Sequence, residues 1–186
     1  MDITRLETKR LILRQWKYTD FVPFAKLSGD KDVMKYFPNI LSRKESNALA
    51  KKIMCFIADN GWGMWAVEIK STHEFAGFVG LNTPSVDMPP SPCVEIGWRL
   101  AKNCWGFGYA TEAGQLALNY AFNKLQLEEV VSFTTLKNKN SLAVMARLEM
   151  KNIDMNFLHP DIDPSNPLCE HVLYKITKFQ WYNNKP

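Results

Sequence analysis

Between Cys93 and Lys124 the hydrophobic period changes once, from two to 3.6, and two glycines one residue apart, Gly106 and Gly108, mark the change. Upstream, Cys93–Leu100 alternates as a strand. Val94, Ile96 and Trp98 share one face; Glu95, Gly97 and Arg99 share the other. Downstream, Thr111 to Lys124 places Ala113, Leu116, Ala117, Tyr120 and Ala121 on one helical stripe. A strand that enters a helix through such a bend presents successive backbone N–H groups, and the helix adds free amides and its positive dipole end. The bend is therefore either a structural glycine turn or a cradle for phosphate. Thr111 stands where a dinucleotide fingerprint has its third glycine, and GxxxxGK[ST] is absent, so neither nucleotide motif applies.

The rest of the chain alternates strand and helix, which predicts a mixed α/β domain spanning residues 1–186 without an internal boundary. Strands are expected at Arg10–Trp16, Met64–Ile69, Phe75–Leu81, Val130–Leu136 and Glu170–Phe179. The second and third should form an antiparallel hairpin across Ser71-Thr72-His73. Helices are expected at Asp20–Leu27, with Thr19 or Asp20 as N-cap, and at Ser141–Met150. Ser42-Arg43-Lys44-Glu45 reads as a capping box opening a helix that runs to Asn60, where Gly61 supplies a left-handed exit. Asn82–Pro92 holds four prolines and is expected to be a loop, either a surface excursion or a place for substrate contacts.

Composition narrows the function classes. The 186 residues carry 23 Lys+Arg against 19 Asp+Glu, with 46% hydrophobic and 23% charged residues, as in an ordinary globular protein. The net charge of +4 is small and its lysines are not interleaved with aromatics, so no nucleic-acid partner is expected. No apolar run spans a bilayer, no signal peptide is read at the start, and the 4 cysteines lack CxxC spacing; a reduced, cytoplasmic protein is expected. His73, His159 and His171 fit no zinc spacing, so no metal is expected and hydrogen-bonded histidines are the plain reading. Cys104, beside the bend, is not expected to act as a nucleophile.

Trp105-Gly106-Phe107-Gly108-Tyr109-Ala110-Thr111-Glu112-Ala113 resembles the diphosphate loop of the GNAT superfamily of N-acetyltransferases, in its RimJ/RimL-like branch of ribosomal-protein N-terminal acetyltransferases. The superfamily pattern is Gln/Arg-x-x-Gly-x-Gly/Ala; Asn103 takes its first position here. Thr8–Arg14, Val94–Trp98, Asn138-x-x-Ser141-x-x-Val144-Met145, Phe157-x-His159-Pro160 and His171–Tyr174 are similar to further motifs of that branch, in order, over nearly the whole chain. One departure is Glu149, where the branch has the glycine that ends a helix.

The resemblance implies a single mixed, mostly antiparallel twisted sheet of about six to seven strands flanked by about four helices. It implies acetyl transfer from acetyl-CoA to a primary amine, by direct attack in a ternary complex. The acceptor is expected to be a protein N-terminal α-amino group. The alternatives are a small-molecule amine (polyamine, aminoglycoside or amino-acid-like) and a non-catalytic acyl-CoA-binding module. A monomer or a homodimer would serve equally. The amides of Trp105, Gly106, Phe107, Gly108, Tyr109, Ala110 and Thr111, with Asn103 beside them, would hold the diphosphate. The backbone of Trp98, Arg99 and Leu100 would meet the pantetheine arm, where this strand splays from its neighbour. Asn138 is a further candidate for the cofactor. Glu95 is the candidate base, set against a plain ion pair with Arg99 or Arg147. Ser141 is the candidate acid for the leaving thiolate, set against an N-cap.

Overall fold

A computed structural model, which describes residues 3–84 and 89–183, arranges nine strands into one sheet. They are β1 Leu6–Glu7, β2 Leu11–Arg14, β3 Met64–Ile69, β4 Phe75–Asn82, β5 Glu95–Leu100, β6 Glu129–Thr135, β7 Lys151–Asn152, β8 Phe157–Leu158 and β9 Glu170–Thr177. Six have four or more residues, within the range expected from the sequence, and three two-residue strands add to them. The order is β1-β2-β3-β4-β5-β6-β9-β7, with β8 also on β9. Every pairing is antiparallel except β5 with β6. The α-helices among the described residues are α1 Phe21–Ser28, α2 Arg43–Asn60, α3 Tyr109–Asn123, α4 Lys139–Arg147 and α5 Lys178–Asn183.

The sheet is sandwiched. On one face, α3 brings Ala113, Ala117, Leu118 and Ala121, all fully buried, close against β4 and β5. The small alanines permit that approach, and Trp65 of β3 meets Tyr120 of α3 at 5.4 Å between ring centroids. On the other face, α1 supplies Phe24 to an aromatic cluster with Trp16 and Phe78, at 4.9 and 5.9 Å. Beside it Arg14 is buried and answered by two carboxylates, donating to Asp20 at 2.7 and 2.9 Å and to Glu68 at 2.6 Å.

Local signals fixed several boundaries. Ser42 and Glu45 form the capping box, and Gly61 leaves α2 with φ 78°. Elsewhere tertiary partners moved them. Asp20 precedes α1, but its carboxylate is spent on Arg14 and on the Lys17 N–H rather than on capping the helix. The last strand stops at Thr177 instead of running to Phe179. Thr177 and Gln180 exchange side-chain-to-backbone hydrogen bonds at 2.9 and 3.2 Å, a capping box that turns the chain into α5. Helix α4 starts before Ser141 because Asn138 caps it, and it ends before Met150. Asn82, assigned to a loop from its prolines, closes β4; residues 85–88 of that loop lie outside the described residues.

Candidate active site

The site is built where the sheet comes apart. β4 and β5 are in register over six residue pairs, and β6 and β9 over seven. Between β5 and β6 the register holds one pair, Glu95 with Val131. The Val131 N–H donates to the Val94 carbonyl at 3.0 Å and the Ser132 hydroxyl to the Ile96 carbonyl at 2.9 Å. Beyond Ile96 the two strands diverge, as the resemblance implied. Alternation along β5 turns the peptide groups of Trp98 into the gap. At Leu100 the carbonyl is taken by the Trp105 indole N–H at 2.9 Å.

The diglycine bend closes the open end of this gap. Gly106 and Gly108 adopt φ 81° and 78°, the left-handed region that L side chains avoid. A Cβ on Gly106 would meet nothing within 4 Å, so the space beside this glycine is open. Gly108 caps α3, whose first amides face outward unpaired by any side-chain cap. Trp105 and Phe107 stand exposed beside it. An anionic, extended ligand fits these features: amides for a diphosphate at the mouth, and the Trp98 peptide groups for an amide-bearing arm, whereas the Arg99 peptide groups expected to meet it turn toward β4 and the Leu100 carbonyl is already taken by Trp105.

One residue of this corner escaped the sequence reading. Arg10, just before β2, donates from Nη1 to the Phe107 carbonyl at 2.9 Å and from Nε to Glu112 at 2.6 Å, and lies 4.9 Å over the Tyr109 ring. It fastens the bend to the sheet. Thr8-Lys9-Arg10 was visible as a motif, but nothing local links it to a loop about a hundred residues later.

Glu95 lies at the apex of the gap. It shares its sheet face with Asn82, Phe78 and Arg99, the face covered by α1. Neither Arg99 nor Arg147 pairs with it. Instead the Asn82 amide donates to its Oε1 at 2.8 Å. Burial raises the Glu95 carboxyl above the usual carboxylate range, against the lowering effect of that hydrogen bond. Its charge is also felt by Cys93, whose thiol is pushed up to about 11, first by burial and then by Glu95 and Glu129. A half-buried carboxylate with a lifted pKa and no cationic partner among the described residues is suited to accept a proton.

Ser141 sits on the opposite face. Asn138 accepts from the Ser141 N–H at 3.2 Å and donates from its amide to the Ser141 hydroxyl at 3.0 Å and to Thr134 at 2.9 Å. Asn138, not Ser141, is thus the N-cap, and its side chain is fully engaged by the protein. Thr134 lies three positions beyond Val131 on β6, roughly 10 Å along the strand, and points away from the Glu95 face. The two candidate catalytic groups therefore flank the gap from its two sides.

The remaining candidates are quiet. Cys104 is buried and its thiol is raised by burial and by Glu74, so it is held as a thiol. His171 meets the Cys169 carbonyl through Nδ1 at 2.9 Å, and His159 accepts from the Asp161 N–H at 3.2 Å. Among the described residues no group of three or more His, Cys, Asp or Glu is placed to hold a metal, and no helix is long and apolar enough to cross a membrane.

Comparison with known proteins agrees with this geometry. The family of the acetyltransferase (GNAT) domain matches residues 10–151. The chain is 31% identical over 163 residues to the FsC-acetyl coenzyme A-N(2)-transacetylase of Aspergillus fumigatus, covering 84% of this chain and 68% of that protein. It is 30% identical over 148 residues to the uncharacterized protein YkkB of Bacillus subtilis, covering 79% and 85%. Among solved structures, a GNAT-family acetyltransferase from Bacillus anthracis superposes with a TM-score of 0.78 at 22% identity, covering 95% of this chain and 99% of that one. The ribosomal-protein-S5-alanine acetyltransferase of Vibrio fischeri superposes with a TM-score of 0.74 at 16% identity, covering 98% and 100%. These last two likenesses concern the fold.

Proposed function

The chain belongs to the GNAT acetyltransferases, and from that premise we propose that it moves an acetyl group from acetyl-CoA to the α-amino group of a protein or peptide N-terminus, by direct attack in a ternary complex. GNAT acetyltransferases use acetyl-CoA, and this chain is an acyltransferase by family. The observation that carries the reading is the single residue pair between β5 and β6, with Glu95 at the apex of the divergence and the diglycine bend at its mouth.

The chain's own groups divide the work. The bend and the first amides of α3 bind the diphosphate, held in place by Arg10. The peptide groups of Trp98, which face the gap, orient the arm. Asn138 is a positioning residue: it fixes the Ser141 hydroxyl. Glu95 takes a proton from the ammonium, directly or through a water, so that the nitrogen lone pair can form the N–C bond at the thioester carbon. As the C–S bond breaks, the Ser141 hydroxyl can pass its proton to the departing thiolate and take up, through a water, the second proton that the attacking nitrogen loses as it becomes an amide. Holding both reactants across one gap supplies much of the rate by itself.

The α-amine is favoured by proton affinity. Its pKa of about 7.7–8.0 lies closer to a lifted carboxylate than that of Lys at about 10.4, so Glu95 needs less help to neutralise it. The order of RimJ/RimL-like motifs along the chain supports the same acceptor. The test is CoA release from acetyl-CoA with a panel of amines. Turnover of peptides with a free N-terminus, lost on blocking that terminus, is the expected result. Turnover confined to polyamines or aminoglycosides would move the assignment to a small-molecule amine. CoA binding by calorimetry without turnover of any amine would leave a binding module.

A further inference from the structure

Arg99 bears a charge that no acidic group among the described residues answers. It stands four positions beyond Glu95 on β5, on the same face, opposite Phe78 of β4. Its guanidinium carbon lies 4.1 Å from the centroid of the Phe37 ring and 5.4 Å from that of Phe78. Nε and Nη1 are sealed from solvent and make no hydrogen bond. None of the ion pairs among the described residues includes it. Burial draws this guanidinium down to about 10, which leaves it cationic at neutral pH. Arg14 is the contrast: also enclosed, it is met by Asp20 and Glu68.

Aromatic rings answer a guanidinium only from above and below. Its N–H bonds point outward in the plane and need acceptors of their own. Charged donors left without acceptors inside a protein are costly, and they persist where a ligand completes them. Nη2 is not among the sealed atoms, and it shares an edge of the guanidinium with Nε–H. An acceptor entering at Nη2 would reach both, in the two-point manner of an arginine and a carboxylate.

We propose that Arg99 binds a side-chain carboxylate of the acceptor, so that the enzyme selects peptide N-termini with an acidic residue in the first few positions. The inference rests on the reading of Glu95 as the group that receives the amine. Four positions of strand separate the two residues by roughly 13 Å, the length of about four extended residues. Both side chains reach into the same face, so the carboxylate belongs one to three residues after the amine. Among the described residues the carboxylate of this face nearest to it along β5, Glu95, is held at the far end by Asn82, and Asp20 and Glu68 are taken up by Arg14.

The experiment uses the full-length enzyme with saturating acetyl-CoA and two peptides, Ala-Asp-Glu-Phe and Ala-Asn-Gln-Phe. The wild type should show at least a tenfold higher kcat/KM for the acidic peptide, chiefly through KM. Arg99→Gln should bring the ratio near one, and Arg99→Lys should keep part of it, since an ammonium retains charge but not the planar fork. Raising NaCl should lift the KM of the acidic peptide and leave that of the neutral one in place. This last measurement needs no variant and decides the matter if Arg99→Gln does not fold. Equal use of both peptides by the wild type, or an acidic preference that survives Arg99→Gln, overturns the inference and leaves the acetylation of peptides standing. CoA release with neither peptide, but with a polyamine, removes the peptide reading and this inference with it.

Discussion

Arg10 and Glu112, 102 positions apart in the chain, are joined by a hydrogen bond from Nε to Oε2 at 2.6 Å and an ion pair from Nη2. Glu112 lies in the first turn of α3, where a carboxylate would compete with a bound phosphate for the same amides. Burial works to raise its pKa, but hydrogen bonds from Thr8 and Arg10 prevail and hold it below the usual range. Arg10 thus neutralises an anion at the phosphate end while tying down Phe107. Arg10→Gln should weaken acetyl-CoA binding about tenfold, about 1.4 kcal/mol, measured by calorimetry. Adding Glu112→Gln to that variant should recover part of the loss. An Arg10→Gln enzyme with wild-type affinity would reduce the pair to a surface contact.

Gly108 takes φ 78° at the mouth of the bend, 3.7 Å from Arg10 Nη2 when a Cβ is added. Gly108→Arg should cost about 1 kcal/mol through the left-handed backbone alone, a fall in Tm of about 2–4 °C for a chain of this length. Its larger effect should be the loss of detectable acetyl-CoA binding, because a long side chain at this position stands beside the amides that would hold the diphosphate. Tight binding by this variant would remove the bend from the cofactor site.

Glu95 should set the acidic limb of the pH profile. Its carboxyl is raised by burial, so the active carboxylate is lost at a higher pH than for an ordinary Glu, and kcat/KM should fall as pH drops through that range. Glu95→Gln should lower kcat by about a hundredfold, the order expected for general base catalysis, with unchanged acetyl-CoA affinity. Stability moves the other way. A raised carboxyl pKa favours the folded state below the unfolded pKa, and that advantage is lost as pH rises through the folded one. Glu95→Gln should therefore have a Tm above wild type at neutral pH and close to it in acid. Stopped turnover together with a neutral-pH Tm below wild type would mark Glu95 as structural.

Glu149 follows α4 with φ 61°, a left-handed exit occupied by a side chain. The sequence resemblance marks this as the place of a glycine, and the backbone has kept the glycine's conformation. Glu149→Gly should stabilise the protein by about 0.5–1 kcal/mol, the left-handed strain removed less the extra freedom of the unfolded chain. A calorimetric Tm higher by about 2–3 °C, without a change in kcat, is expected. A lower Tm would mean that the Glu149 side chain contributes more than its backbone costs.

The amino-acid sequence by itself determined whatever neighbours along the chain could settle. The capping box of Ser42 and Glu45, the left-handed exit at Gly61, the Met64–Ile69 strand with its hairpin partner, and the glycine bend before α3 all depend on hydrogen bonds and backbone preferences spanning a few residues. The Thr177–Gln180 box is equally local, and it ends the last strand two residues before the Phe179 expected to close it. Only the tertiary structure decided where the gap opens, since that depends on how far the register of Glu95 with Val131 continues before the two strands part. It alone brought Arg10 to the bend, set Glu95 and Ser141 on opposite faces, and left Arg99 beside two rings without an acid among the described residues. Those relations join segments tens to a hundred residues apart, and no period or spacing in a single sequence encodes which distant group a side chain will meet.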